Sequence, residues 1–512
     1  MATVALNSPA GKWIMASTIL ASSMAFIDAT ALNVVLPALQ QGLRATGADL
    51  FWILNAYLLM LASLILIGGA MGDKLGRKKI FMTGILIFIA GSAACGLSTT
   101  VLMLVICRLL QGIGGAFMIP GSLSLISSSI NAKERGKAIG TWSAFTTVVT
   151  MGGPVLGGAL ADAGLWRYIF FINVPIGVLA LAMLVFKVHE IKDDDSKAGL
   201  DFPGAITIAL ALALITFGFL QVPSVGLANL QAYGSLTTGL LFLIIFIVIE
   251  IRSANPMMPL KLFNNSTFSG ANLLTFFLYA GLGAGMLFLS LNLVQIQGYS
   301  QLQSGLTFLP FTVLMIAIAR FAGSLADKHG PRLFLIAGPA IAGTGLLILS
   351  FVKQTHGPAD YWTTFFPGVL VLGLGMSFTV APLTAAVMSS VSDHFSGTAS
   401  GINNAMTRIS GVFANAIFGA MAVLFFSGAL QHSLQATSFS GKEKQLIMQQ
   451  VKNLGNAKVP AAFNVNKVQV EKYYHEGFIS AYAKIMRISA GLGYMGALMA
   501  FIFIRRKAVR KT

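Results

Sequence analysis

The feature that most limits what this chain can become is a succession of long apolar runs separated by short polar turns. A helix needs about 20 apolar residues to cross the hydrocarbon of a bilayer, and runs of that length recur about fourteen times. The first six cover approximately residues 13 to 37, 50 to 71, 80 to 98, 101 to 126, 138 to 161 and 168 to 187. Two more lie near 203 to 222 and 235 to 252, and six others near 268 to 293, 303 to 325, 333 to 352, 363 to 388, 402 to 427 and 477 to 503. Inside a bilayer each segment must satisfy its own backbone polar groups, so the expected fold is all-α and integral to the membrane. Composition agrees, with 56% hydrophobic and 10% charged residues, against about 25% charged in a soluble domain.

The 34 Lys and Arg against 17 Asp and Glu give a net charge of +17. That excess does not require a nucleic-acid partner, because it collects in turns and at the C-terminus, as the positive-inside rule describes. Lys74, Arg77, Lys78, Lys79, Lys133, Arg135, Lys137, Arg252, Lys261, Lys328, Arg332 and the basic residues 505 to 507 share one side if the N-terminus is inside. The expectation is a multi-pass protein of the cell (inner) membrane with both termini cytoplasmic. The exception is 428 to 476, a Lys-rich hydrophilic stretch read as one long extracytoplasmic loop, where a periplasmic adaptor protein could dock. Cys95 and Cys107 lie in apolar runs and read as packing residues. The first run is too long for a signal-peptide core and is followed at once by further spans.

The chain repeats itself. Gly69-Ala70-Met71-Gly72-Asp73-Lys74-Leu75-Gly76-Arg77-Lys78-Lys79 joins the second and third spans, and Gly323-Ser324-Leu325-Ala326-Asp327-Lys328-His329-Gly330-Pro331-Arg332 joins the tenth and eleventh. Gly136-Lys137-Ala138-Ile139-Gly140 is echoed by Gly397-Thr398-Ala399-Ser400-Gly401. The organisation read from this is a six-helix half over 1–191, a linker with two extra spans over 192–262, and a second six-helix half over 263–512. Two halves around a central axis is a transporter plan, with binding expected near the midplane between them.

Four segments carry a family resemblance. They are the turn 69–79, the run Arg108-Leu109-Leu110-Gln111-Gly112-Ile113-Gly114-Gly115-Ala116, the run Gly152-Gly153-Pro154-Val155-Leu156-Gly157-Gly158, and 166–177. In order, they resemble the signature segments of the major facilitator superfamily, and with about fourteen spans they look like its drug:proton antiporter branch. The resemblance implies a proton-coupled antiporter that exports amphipathic drugs or toxic compounds by alternating access. It implies no cofactor, the proton gradient being the energy source, and small-molecule substrates, protons and the bilayer as partners. A dedicated exporter of one metabolite, siderophore or lipid is the alternative. An enzyme or receptor would need a catalytic constellation or a ligand domain.

Asp28 sits within the first span, where an ionised carboxylate costs about 2.5–3.5 kcal/mol on insertion scales. It should therefore face a cavity or a partner, either as a proton carrier or as a packing residue. Arg108 enters the fourth span at a similar depth, about 10–14 Å below the outer surface by helix rise, so a pair between them is possible. Gln111, Gly112 and Gly115 share its helix face. Gly153, Pro154, Gly157 and Gly158 form a small-residue seam with a bend, which the resemblance marks as the antiporter motif. Arg408 lies near mid-membrane, on one face with Asn404. It should line a cavity, bind an anionic or hydrogen-bond-accepting substrate group, or pair with a carboxylate. Asn33, Tyr57, Gln111 and Phe276 are further candidates for the substrate cavity. Gly69, Asp73, Gly76, Arg77, Lys78, Asp327 and Arg332 are read as a cytoplasmic gate, a charge latch holding the halves together. Arg320, Glu250 and Asp162 read as solvated span-end charges, and no zinc-ligand cluster or Ser-His-Asp constellation is visible.

Overall fold

The computed structural model describes residues 4–188, 201–391, 396–460, 463 and 466–504. The linker proposed from residue 192 onward lies outside these up to residue 200, as do the basic tail residues 505–507. Among the described residues the chain is helical without a strand; a lone bridge joins Val4 to Ile130.

The first half comprises α1 (Pro9–Gly42), α2 (Gly47–Leu75), α3 (Arg77–Gly96), α4 (Val101–Ser129), α5 (Ala132–Asp162), α6 (Tyr168–Phe171) and α7 (Asn173–Lys187). An inserted pair follows, α8 (Phe202–Val225) and α9 (Leu230–Arg252). The second half comprises α10 (Ser266–Gln295), α11 (Gln301–Leu306), α12 (Leu309–His329), α13 (Arg332–Leu349), α14 (Tyr361–Ser389), α15 (Ser396–Gln435), α16 (Gly441–Met448) and α17 (Lys467–Phe503). Thirteen stretches of the described residues are long and apolar enough to span a bilayer, with α6–α7 and α11–α12 each forming one. The 31-residue α5 has a shorter apolar part, Val148–Asp162.

Local chemistry explains where the helices break. Thr46 and Asp49 form a capping box at the start of α2, Ser300 and Gln303 another at α11, and Thr100 caps α4. Each satisfies amide donors that have no partner in the first helical turn. The two copies of the opening repeat turn the same way, on Gly76 at φ 111° and Gly330 at φ 86°, left-handed positions that favour glycine.

The duplication is visible in packing. In the first half α4 lies against α2 and α3, while α1 lies against α5 and α7 and α3 against α7. In the second, α14 lies against α12 and α13, while α10 lies against α15 and α17 and α13 against α17. The halves meet along two seams, α2 with α15 and α5 with α11, and also where α1 meets α10. The inserted pair covers the first seam: α8 packs on α2 and α15, with Leu59, Ala62, Ile208, Leu212, Phe246 and Val412 in one apolar cluster.

The segment expected to be one long loop, 428 to 476, is largely structured. Helix α15 runs on to Gln435, α16 and a 3-10 stretch (Gln449–Asn456) follow, and α17 starts at Lys467. These pieces form a strap across the end of the bundle away from the chain termini. Gln40 Nε2 of the first half donates to the strap carbonyl of Asn453 at 3.4 Å, and Gln295 Nε2 of the second half donates to Gln40 Oε1 at 2.9 Å. Ile447, Val451, Leu454 and Phe463 are buried beneath it. The average polarity of the segment hides these widely spaced apolar anchors.

Candidate functional site

Helices α1 and α4 bring together the two charges that the first half carries deepest. Arg108 Nη1 donates to Asp28 Oδ2 at 2.5 Å, and both side chains are 1% exposed. Gln111, one turn along α4, bonds both ends of the pair: its Nε2 donates to Asp28 Oδ1 at 3.0 Å and its Oε1 accepts from Arg108 Nη1 at 2.7 Å. Arg108 Nε also donates to the Ile53 carbonyl at 3.4 Å, and its guanidinium lies 4.5 Å from the centre of the Tyr57 ring. Cys95 Sγ lies 3.8 Å from Gln111 Oε1 as donor. The glycines expected beside Arg108 admit this arrangement. A Cβ on Gly112 would stand 2.5 Å from the Tyr57 carbonyl, so α2 could not approach α4 as closely with any larger residue.

Two candidates assigned to a substrate cavity lie within this network. Tyr57, 1% exposed, and Gln111, 0% exposed, are sealed inside the ion-pair network. Amide and aromatic residues at helical spacing fit a cavity wall or a buried network equally well, and here the charges claim them. Asn33 is half-buried, with Nδ2 donating to the Ala29 carbonyl at 3.5 Å. Across the seam, Phe276 stands edge-on to Phe413 with ring centres 6.1 Å apart, Arg408 is half-buried and Asn404 is exposed. Asn403, which the sequence did not single out, ties α15 to α10 by donating to Asn272 Oδ1 at 3.2 Å and Thr275 Oγ1 at 2.7 Å.

The glycines of α5 have two separate tasks. Gly153 and Gly157 face α1, where a Cβ on Gly157 would meet the Ala31 carbonyl oxygen at 2.7 Å. Thr30 Oγ1 donates to the Thr150 carbonyl at 3.0 Å on the same contact. Gly158 instead faces the other half, against the backbone of Gln301 and Leu302, and Gly305 of α11 faces the backbone of Pro154. Asp162 closes this contact by accepting from the Gln301 and Leu302 amides at 2.7 and 3.0 Å, at the helix N-terminus where a carboxylate is favoured. Asp162 was expected to be merely solvated. Glu250, expected likewise, is 2% exposed and accepts from the Met258 amide at 3.0 Å.

At the end carrying the termini, two of the residues expected in a charge latch hold helix ends. Lys78 Nζ donates to the Val188 carbonyl at 2.7 Å, and Arg332 Nη2 donates to the Phe501 carbonyl at 2.8 Å. Each cation thus holds the last turn of the final helix of its own half, where the helix dipole is negative. The side chains of Asp73, Arg320 and Asp327 lie outside the described residues. Among the described residues no cluster could hold a metal ion.

A duplicated bundle of membrane-spanning helices with a buried ion pair inside one half defines a membrane transporter rather than an enzyme. The chain belongs to the Major Facilitator Superfamily, whose profile matches residues 18–415. It is 30% identical over 416 residues to the multidrug resistance protein Stp of Mycobacterium tuberculosis, covering 80% of this chain and 76% of that one. It is 30% identical over 398 residues to the tetracenomycin C resistance and export protein of Streptomyces glaucescens, covering 78% and 73%. Among solved structures, a bacterial homologue of the human lysosomal transporter Spinster superposes with a TM-score of 0.67 at 17% identity, covering 98% of this chain and 100% of that one.

Proposed function

We propose that this protein is a proton-coupled antiporter that exports amphipathic compounds across the cytoplasmic membrane, with both termini inside. The observation that carries the reading is the sealed Asp28–Arg108 pair, which is costly to bury unless its making and breaking is used. The names of the relatives support export of toxic compounds; the tetracenomycin exporter also supports the narrower reading of a single-compound exporter.

The proposed coupling runs through contacts already described. With Asp28 ionised, Arg108 and Gln111 fasten α1 to α4. A proton on Asp28 removes the charge, while Arg108 keeps Gln111 Oε1, the Ile53 carbonyl and the Tyr57 face. The other side of α1, three residues on, rests on α5 at Gly153 and Gly157. Helix α5 in turn meets α11 of the other half through Gly158 and Asp162. Release of α1 therefore reaches the contact that closes the end away from the termini, through a chain of packed helices that two states can share. The gradient supplies enough energy, about 2.3 kcal/mol per charge per 100 mV and about 1.36 kcal/mol per pH unit. Gly69, Gly76, Arg77, Lys78 and Arg332 shape the opposite end, by turning the chain and holding helix ends. Purified protein in liposomes should move protons inward as substrate moves outward; substrate flux with no accompanying proton movement would sink the coupling.

A further inference from the structure

The second half also holds a deep charge, and it lacks the partners that the first one has. Arg408 lies 12 residues into α15, about 18 Å along a helix, which places it well inside the bilayer. Among the described residues it makes no hydrogen bond, ion pair or ring contact. One turn on, a Cβ on Gly411 would lie 3.4 Å from Leu58 of α2, and Phe413 meets Phe276 of α10 edge-on at 6.1 Å, so this stretch of α15 lies between α2 and α10. Phe276, Tyr279 and Gly283 share one face of α10, and a Cβ on Gly283 would meet nothing within 4 Å, so this face borders open space. Asn404, one turn from Arg408, is exposed. The carboxylates do not balance this cation. Asp28 is committed to Arg108, and Glu250, buried near the C-terminal end of α9 on the inserted pair, accepts from the Met258 amide.

A guanidinium offers five N–H donors in a planar fork, and leaving them unpaired at this depth is costly. Aromatic walls beside it suit an amphipathic molecule with a flat or greasy body. We propose that Arg408 is a binding residue for an anionic group, a carboxylate or sulfonate, on the exported compound, and that this transporter selects amphipathic anions over amphipathic cations. The inference rests on the exporter reading and names its substrate class. A cation-selective site at this place would need an unpaired carboxylate facing the cavity, and among the described residues none is there.

The test uses the full chain in phosphatidylcholine liposomes and two permanently charged fluorescent probes with one body: dansyltaurine, a sulfonate, and dansylaminoethyl-trimethylammonium. Wild type should bind the sulfonate at least about tenfold more tightly, the factor a charge-assisted bond supplies. Arg408→Gln should lose that advantage and leave binding of the ammonium probe within about twofold, while Arg408→Lys should keep part of it. Preference of wild type for the ammonium probe, or equal losses for both probes in Arg408→Gln, would overturn the proposal. Gradient-driven flux, measured in the same liposomes, keeps the two readings apart. Asp28-dependent flux of the ammonium probe alone would refute the anion preference and uphold export. Selective sulfonate binding without any proton-linked flux would uphold the site and refute the coupling.

Discussion

Breaking the buried pair from either side should have unequal costs, because the two partners have different fallbacks. Arg108→Gln strands Asp28 in a site that is 1% exposed, with Gln111 Nε2 as its remaining described donor. Removing one member of a buried pair costs about 3–5 kcal/mol. Asp28→Asn strands Arg108, which keeps Gln111 Oε1 at 2.7 Å, the Ile53 carbonyl at 3.4 Å and the Tyr57 ring at 4.5 Å. A desolvated cation on an aromatic face is worth about 2 kcal/mol, so this variant should lose about 2 kcal/mol less than the first. The double variant places two amides where the charges were and should recover stability, giving an interaction energy of at least about 2 kcal/mol. The assay is a double-mutant cycle on the purified protein, unfolded reversibly in mixed micelles. Additive losses would refute the reasoning.

Other contacts give sharper local outcomes. Gly157→Leu should push α5 off α1, since even a Cβ would meet the Ala31 carbonyl at 2.7 Å, and should cost about 1–3 kcal/mol by overpacking; unchanged thermal stability would show that the helices can part freely. Arg332→Ala should speed amide exchange in the last turn of α17 around Phe501 while leaving the Asp28 network protected; equal deprotection of both would show a general loss of fold. Glu443 is held below the usual carboxylate range by its bonds to the Ser440 amide and hydroxyl. A lowered value means that its contribution is present at neutral pH and disappears as pH falls through that lowered range, so exchange in α16 should rise there and the rise should vanish in Glu443→Gln.

How far the sequence could be read depended on whether a single helix held the information. The spans were read from run length, and the two halves with their inserted pair from repetition. Asp28 and Arg108 could be matched because helix rise fixes depth, and depth is what opposite charges in a bilayer must share. What depth leaves open is rotation about the helix axis. Gln111 and Tyr57 were placed on a cavity wall although they face the pair, and Gly158 was grouped with Gly153 and Gly157 although it turns to the other half. The strap between α15 and α17 was obscured differently. Its buried Ile447, Val451, Leu454 and Phe463 are spread among lysines and amides, so the average polarity described a loop. The bond between Gln40 and Gln295 joins residues far apart in the chain, and no local pattern announces it.

The central claim is that Asp28 carries the proton, and the most direct measurement compares wild type with Asp28→Asn in liposomes under an imposed pH gradient. Wild type should concentrate its substrate against the gradient and dissipate the pH difference as it does so. Asp28→Asn should fold, bind substrate and exchange it across the membrane at equilibrium, yet fail to concentrate it. Gradient-driven accumulation by Asp28→Asn at the wild-type rate would contradict the account.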